Sequence, residues 1–119
     1  MNGLLLVALG SAVGGVARYG LSLLRYPFPS TFPYWTLAAN VLGSIAIGVA
    51  AALIDPVEGS RLRLLVLTGF CGGFTTFSAF SLEAFGLYSE GFHAAALISV
   101  AANLLGSIGG CALGYLLSR

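Results

Sequence analysis

The sequence predicts an all-α integral membrane protein of four transmembrane helices. Composition is the first reason. The chain of 119 residues is 58% hydrophobic and 8% charged, where soluble domains carry about a quarter charged residues. Its mean hydropathy is +0.98. The second reason is pattern: four apolar stretches each reach the length of about 20 residues that a hydrocarbon core requires. The third is the shortness of the connections, which leave no room for a soluble domain. Residues 1–119 therefore read as one four-helix transmembrane domain.

The first span is Gly3–Leu24, with Arg18 in its second half. No basic residue precedes its apolar run, and the run is long for a signal peptide. Pro27, Pro29 and Pro33 stiffen the loop that follows and stop the helix. Tyr26, Tyr34 and Trp35 suit the interfacial aromatic belt.

The second span, Tyr34–Ile54, and the fourth, Ala94–Ser118, hold no charged residue and repeat a phrase. Residues 38–45 read Ala-Ala-Asn-Val-Leu-Gly-Ser-Ile; residues 101–108 read Ala-Ala-Asn-Leu-Leu-Gly-Ser-Ile. Thr36, Asn40 and Ser44 recur every fourth residue, as do Ser99, Asn103 and Ser107, so each trio shares a helix face. Every member can donate a hydrogen bond. Helix glue is one reading of these stripes. The other is a path for a small, strongly hydrated anion, whose water shell uncharged donors replace step by step. A cation path would favour acidic rings or carbonyls instead.

The third span, Leu64–Tyr88, contains the least ordinary stretch, Gly-Phe-Cys-Gly-Gly-Phe-Thr-Thr-Phe-Ser-Ala-Phe at residues 69–80. Glycine and threonine both weaken helix interiors. A break is expected here, and in lipid it leaves backbone groups unpaired at several kcal/mol each unless protein or a water-lined site covers it. Broken helices at mid-membrane depth are where transporters bind ions. Phe77 and Phe80 share a face just beyond. Their rings have positive edges that can meet an anion if turned inward; turned outward they only face lipid.

The charges are few. Arg18 and Glu83 are functional candidates because charge in hydrocarbon is costly. Glu90 and His93 read as surface residues of the last loop. Cys71 and Cys111 lie within spans and read as packing residues. A net charge of +1 argues against a nucleic-acid partner. No nucleophile–base pair, metal-ligand cluster or phosphate loop is visible, so no enzyme is expected. Arg61, Arg63 and Arg119 fall on the side of the termini and Arg25 on the other. That bias favours cytoplasmic termini, yet is small enough to permit both orientations. Gly10 and Gly14, with Gly106, Gly110 and Gly114, let helix backbones approach closely. Four short helices barely enclose a path, so a homodimer is the natural assembly.

The chain resembles the small microbial fluoride channels called Fluc or CrcB over nearly its whole length. The resemblance rests on Gly14-Gly15-Val16-Ala17-Arg18-Tyr19, on Thr36-Leu37-Ala38-Ala39-Asn40 with Gly43, and above all on Gly69 to Phe80 followed by Glu83. It implies a fluoride-selective passive channel that exports cytoplasmic fluoride across the cell (inner) membrane. It implies a dual-topology antiparallel homodimer in the lipid bilayer, with two pores and a structural sodium ion. Asn40 would line the pore, with Phe77 and Phe80 flanking fluoride and Thr76 and Ser78 close by. Ser99, Asn103 and Ser107 would be the polar track of the fourth span. The Gly72 and Thr75 carbonyls would hold the sodium, and Arg18 and Glu83 would stand at the aqueous vestibule. The chain departs from the family at Ser99, where Tyr is common, at Asn103, where a hydroxyl is frequent, and at Ala79, which replaces a frequent Thr or Ser.

The competing expectation is a small multidrug or guanidinium proton-coupled antiporter. That chemistry needs a titratable carboxylate in the first span, which here has Arg18 and no acid. A structural subunit of a larger membrane complex is a third class.

Overall fold

The computed structural model describes residues 2–119. Among them every regular element is helical. Helix α1 spans Gly3–Ser22 and tightens into a 3-10 turn over Leu23–Arg25. Helix α2 is Tyr34–Leu53. The third span begins one turn earlier than the hydropathy suggests, with α3 at Ser60–Arg63. A π-helical stretch, Leu64–Cys71, follows, then the short α4, Gly72–Phe74. Helix α5, Phe77–Ser89, completes that span, and α6 runs from His93 to Ser118. Four segments are long and apolar enough to cross a membrane. The long axis of 50 Å suits a bilayer with its interfaces.

The ends of these helices are closed by local chemistry. The Asn2 side chain accepts from the Leu5 N–H at 2.9 Å and so caps α1. At the foot of α2, Arg63 donates to the carbonyls of Ala51 at 3.3 Å and Ile54 at 2.7 Å, a cation at a helix C-terminus. Asp55 accepts from the N–H groups of Val57 and Glu58, each at 2.8 Å. The Tyr34 hydroxyl reaches the carbonyls of Leu24 at 3.0 Å and Phe28 at 2.5 Å, tying the proline-rich loop to the start of α2.

The packing inverts the pattern of a soluble protein. Most of the buried residues are small, among them Ala39, Ala50, Ala84 and Ala96 with Gly10, Gly14, Gly48, Gly110 and Gly114; Phe80 and Leu87 are the large apolar exceptions. Large apolar residues such as Leu105, 73% exposed, face outward. Lipid is as apolar as leucine, so close backbone approach holds the helices together instead. A Cβ added at Gly14 would lie 2.2 Å from the Phe70 carbonyl oxygen, and one at Gly10 2.2 Å from that of Leu65. These two glycines seat α1 against the third span.

The repeated phrase has a structural meaning. Asn40 meets Asn103 across an offset of 63 residues. Two turns further, Gly48 packs on the Cys111 backbone at the same offset. One offset held at two levels means that α2 and α6 run parallel and in register. The two copies of the phrase therefore lie side by side, and the two polar stripes face one seam.

Candidate ion pathway

The site forms where the third span changes conformation beside that seam. Helix α4 stops at Phe74. Thr75 (φ −88°, ψ 156°) and Thr76 (φ −151°, ψ 125°) are extended, and α5 starts at Phe77. Side chains partly repair the interruption. Thr75 Oγ1 donates to the Cys71 carbonyl at 2.9 Å, and Thr76 Oγ1 accepts from the Ala79 N–H at 3.1 Å, capping α5. Gly43 admits this segment against α2: a Cβ there would lie 2.3 Å from Thr75 Cγ2.

Asn40 does most of the repair. Its Oδ1 accepts from the Thr76 N–H at 2.7 Å, and its Nδ2 donates to the Thr76 carbonyl at 3.0 Å. Nδ2 also donates to Asn103 Oδ1 at 2.8 Å. Asn103 Nδ2 in turn donates to the Ser99 carbonyl at 2.8 Å. Both amides are buried. The carbonyls around the interruption thus divide into two sets. That of Cys71 accepts from the Thr75 N–H and hydroxyl, that of Gly73 from Arg18 Nε at 3.3 Å, and that of Thr76 from Asn40. Among the described residues, no hydrogen bond reaches the carbonyls of Gly72, Phe74 or Thr75 across the interruption.

Beside this network lies a cavity of about 210 Å³, lined by Asn40, Ser44, Thr75, Thr76, Phe77, Phe80, Asn103, Leu104, Ser107 and Ile108. No charged residue lines it. Phe77 and Phe80 stand edge to face, with ring centroids 4.8 Å apart and planes at 85°. They differ in setting: Phe80 is 5% exposed, Phe77 70%. A second, more polar cavity of about 260 Å³ is lined by Arg18, Tyr19, Ser22, Arg25, Trp35, Thr36, Ala79 and Glu83. There Thr36 Oγ1 donates to Glu83 Oε1 at 2.8 Å, while Glu83 Oε2 has no partner.

Of the residues singled out in the sequence, Asn40, Thr75, Thr76, Phe77, Phe80, Asn103 and Ser107 converge on the first cavity, and Arg18 and Glu83 on the second. Two stand apart. Ser78 is exposed, its hydroxyl 3.3 Å from that of Thr76. Ser99 is 1% exposed, with its hydroxyl unpartnered and outside both cavities. Gly72 faces open space: a Cβ there would meet only the Leu67 carbonyl, at 3.9 Å. The sequence reading missed Leu104 and Ile108, four residues apart on α6. Only the fold reveals that this apolar pair flanks a polar track. It also missed that Arg18 is tied to the Gly73 backbone.

Fold and site together define a small multi-pass membrane protein with an uncharged polar cavity at an interrupted span. The family model described as "CrcB-like protein, Camphor Resistance (CrcB)" matches residues 5–115. The chain belongs to the CrcB family. It is 50% identical over 104 residues to the "Fluoride-specific ion channel FluC" of Rhizobium etli, covering 84% of this chain and 82% of that one. The protein of the same name from Escherichia fergusonii is 44% identical over 118 residues, with coverage of 94% and 90%. That of Paracoccus denitrificans is 41% identical over 113 residues, with coverage of 95% and 91%.

Proposed function

We propose that this chain is a passive, fluoride-selective ion channel that exports cytoplasmic fluoride across the cell (inner) membrane. The observation behind this reading is the convergence of amide, hydroxyl and aromatic side chains on one uncharged cavity. The relatives' name points the same way, and it is the name of an ion channel rather than an enzyme. An anion leaving water loses hydrogen bonds that must be replaced. Amides and hydroxyls replace them without the tight grip of a full positive charge, so the ion can still depart. Ring edges extend the donor surface where no hydroxyl stands.

The working unit in this reading is a dual-topology antiparallel homodimer with two pores. Phe77 supports it, since an aromatic ring 70% exposed beside a polar cavity awaits a covering surface. A second copy supplies one, and two-fold closure is the commonest way to assemble it.

A structural sodium ion at the dimer centre belongs to the same reading. The donor set fits: the Gly72 and Thr75 carbonyls are among those left without hydrogen bonds, Gly72 faces open space, and hard cations accept neutral oxygen ligands. Gly72 and Thr75 from each copy would hold the ion, which supplies fixed positive charge that offsets the cost of an anion nearby. Replacing sodium by N-methylglucamine should then lower the thermal midpoint of the purified protein and dissociate the dimer.

The deciding experiment is fluoride-electrode recording of efflux from liposomes that contain the purified chain. Fluoride should leave passively while chloride is retained. Chloride leakage at a comparable rate, or no fluoride flux at all, would end the proposal. The antiporter alternative predicts uptake of an organic cation driven by a proton gradient. Its one membrane-embedded acid, Glu83, is already bonded to Thr36.

A further inference from the structure

The two cavities share no lining residue. Thr36 lines one and Asn40 the other, so the boundary falls between two successive turns of α2. Helix α6 runs in register with α2, which places Ser99 level with Thr36 and Asn103 level with Asn40. An ion moving from the Arg18–Glu83 cavity to the Phe77–Phe80 cavity must pass this level.

A continuous hydrogen-bonded bar occupies it: Thr76 to Asn40, Asn40 to Asn103, Asn103 to the Ser99 carbonyl. The backbone fixes both amide orientations. The Thr76 N–H can only donate, so it selects Asn40 Oδ1. The Ser99 carbonyl can only accept, so it selects Asn103 Nδ2 and leaves Asn103 Oδ1 for Asn40. A primary amide has two N–H hydrogens. Both of Asn40's are used, one on the Thr76 carbonyl and one on Asn103. With the bar intact, Asn40 has no hydrogen to offer an anion. Two buried polar atoms without partners, Ser99 Oγ and Glu83 Oε2, lie on the Thr36 side of the bar.

The geometry points to Asn103 as the positioning residue that sets the barrier between the two cavities. It acts through Asn40: its Oδ1 holds the second Asn40 hydrogen, and an ion crosses when that bond opens and the hydrogen turns to the ion. The inference rests on the anion-channel reading and deepens it. A residue at position 103 that cannot accept from Asn40 would leave one Asn40 hydrogen free and the crossing easier.

The test compares fluoride efflux from liposomes carrying equal amounts of wild type, Asn103→Ala and Asn103→Ser. Wild-type efflux reports on the channel reading, and the ratio of variant to wild type reports on the barrier. Asn103→Ala should accelerate efflux about fivefold, the rate equivalent of one net hydrogen bond, with chloride still excluded. Asn103→Ser, whose shorter side chain keeps a polar group in the seam, should lie between the two. A loose, misfolded protein does not gain selective flux, so acceleration separates this role from mere packing. Fluoride efflux unchanged or slowed in both variants overturns the inference, and so does acceleration in which chloride leaks equally.

Discussion

Asn40 and Asn103 face each other across the α2–α6 seam, with the amide nitrogen of the first 2.8 Å from the amide oxygen of the second. The pair joins the extended segment of the third span to the fourth span. It couples the repair of a broken backbone to the wall of a polar cavity. Four expected outcomes follow from such relationships.

Asn40→Ala should both unfold the site and stop flux. It strips the Thr76 N–H and carbonyl of their side-chain partner. A buried group left unpaired costs about 1–3 kcal/mol, so the two together should lower stability by roughly 2–6 kcal/mol. Asn40→Asp should be worse, because it sets a carboxylate oxygen against the Thr76 carbonyl and Asn103 Oδ1. Thermal unfolding in detergent, followed through the fluorescence of Trp35, measures this. A midpoint unchanged in the alanine variant would refute the clamp.

The two phenylalanines should separate function from packing. Within the single chain, Phe77→Leu should change stability by less than about 1 kcal/mol, since the ring is exposed there and only the proposed dimer covers it. Phe80→Leu, at a buried position, should cost about 1 kcal/mol or slightly more. Both should reduce fluoride efflux at least about tenfold, because leucine has no ring edge to present. Full flux in either folded variant would remove that ring from the pathway.

Glycine substitutions should divide by what a methyl group meets. Gly14→Ala and Gly48→Ala drive Cβ to 2.2 Å from the carbonyls of Phe70 and Cys111. Each should destabilise by about 1–3 kcal/mol or more, the cost of overpacking. Gly15→Ala and Gly109→Ala meet nothing within 4 Å. They should be neutral or stabilising by up to about 1 kcal/mol through helix propensity. Equal effects in the two pairs would mean that close backbone approach does not hold these helices together.

The loop after α2 should weaken in acid. Hydrogen bonds from the Glu58 and Val57 N–H groups hold the Asp55 carboxyl below its usual range, and Arg63 adds to the effect. A carboxyl whose folded pKa is depressed contributes stability above its unfolded value. That contribution is lost as pH falls through the folded value, here below about pH 4. Amide exchange at Val57 and Glu58 should therefore lose protection progressively as pH falls below about 4, after correction for intrinsic rates. Asp55→Ala should show low protection throughout. A wild type that keeps full protection at pH 3 would contradict the assignment.

Much of this was legible in the chain because membranes impose few solutions. Four apolar runs had to become four helices, since lipid offers no partner for a free backbone. The Asn stripes and the Phe pair were visible as spacings, and Phe77 and Phe80 do share the cavity wall. Ser78 and Ser99 show the limit. Each has the right side chain at a plausible spacing, yet one faces outward and the other is sealed in the seam. The π-helical stretch before the break left no sequence signal. Its wider turn shifts the face that the later residues present.

The sequence alone determined the number of spans, the absence of charge along the second and fourth, and the weak point in the third. These depend on local composition, and each segment meets the bilayer independently. Tertiary structure decided the rest. Only the 63-residue register of α2 and α6 brings Asn40 to Asn103, and only the packing of α1 on the third span ties Arg18 to one carbonyl of the break. Glycines at the seams set that register through backbone contacts between distant segments. No residue reveals by its own identity which partner its backbone will touch.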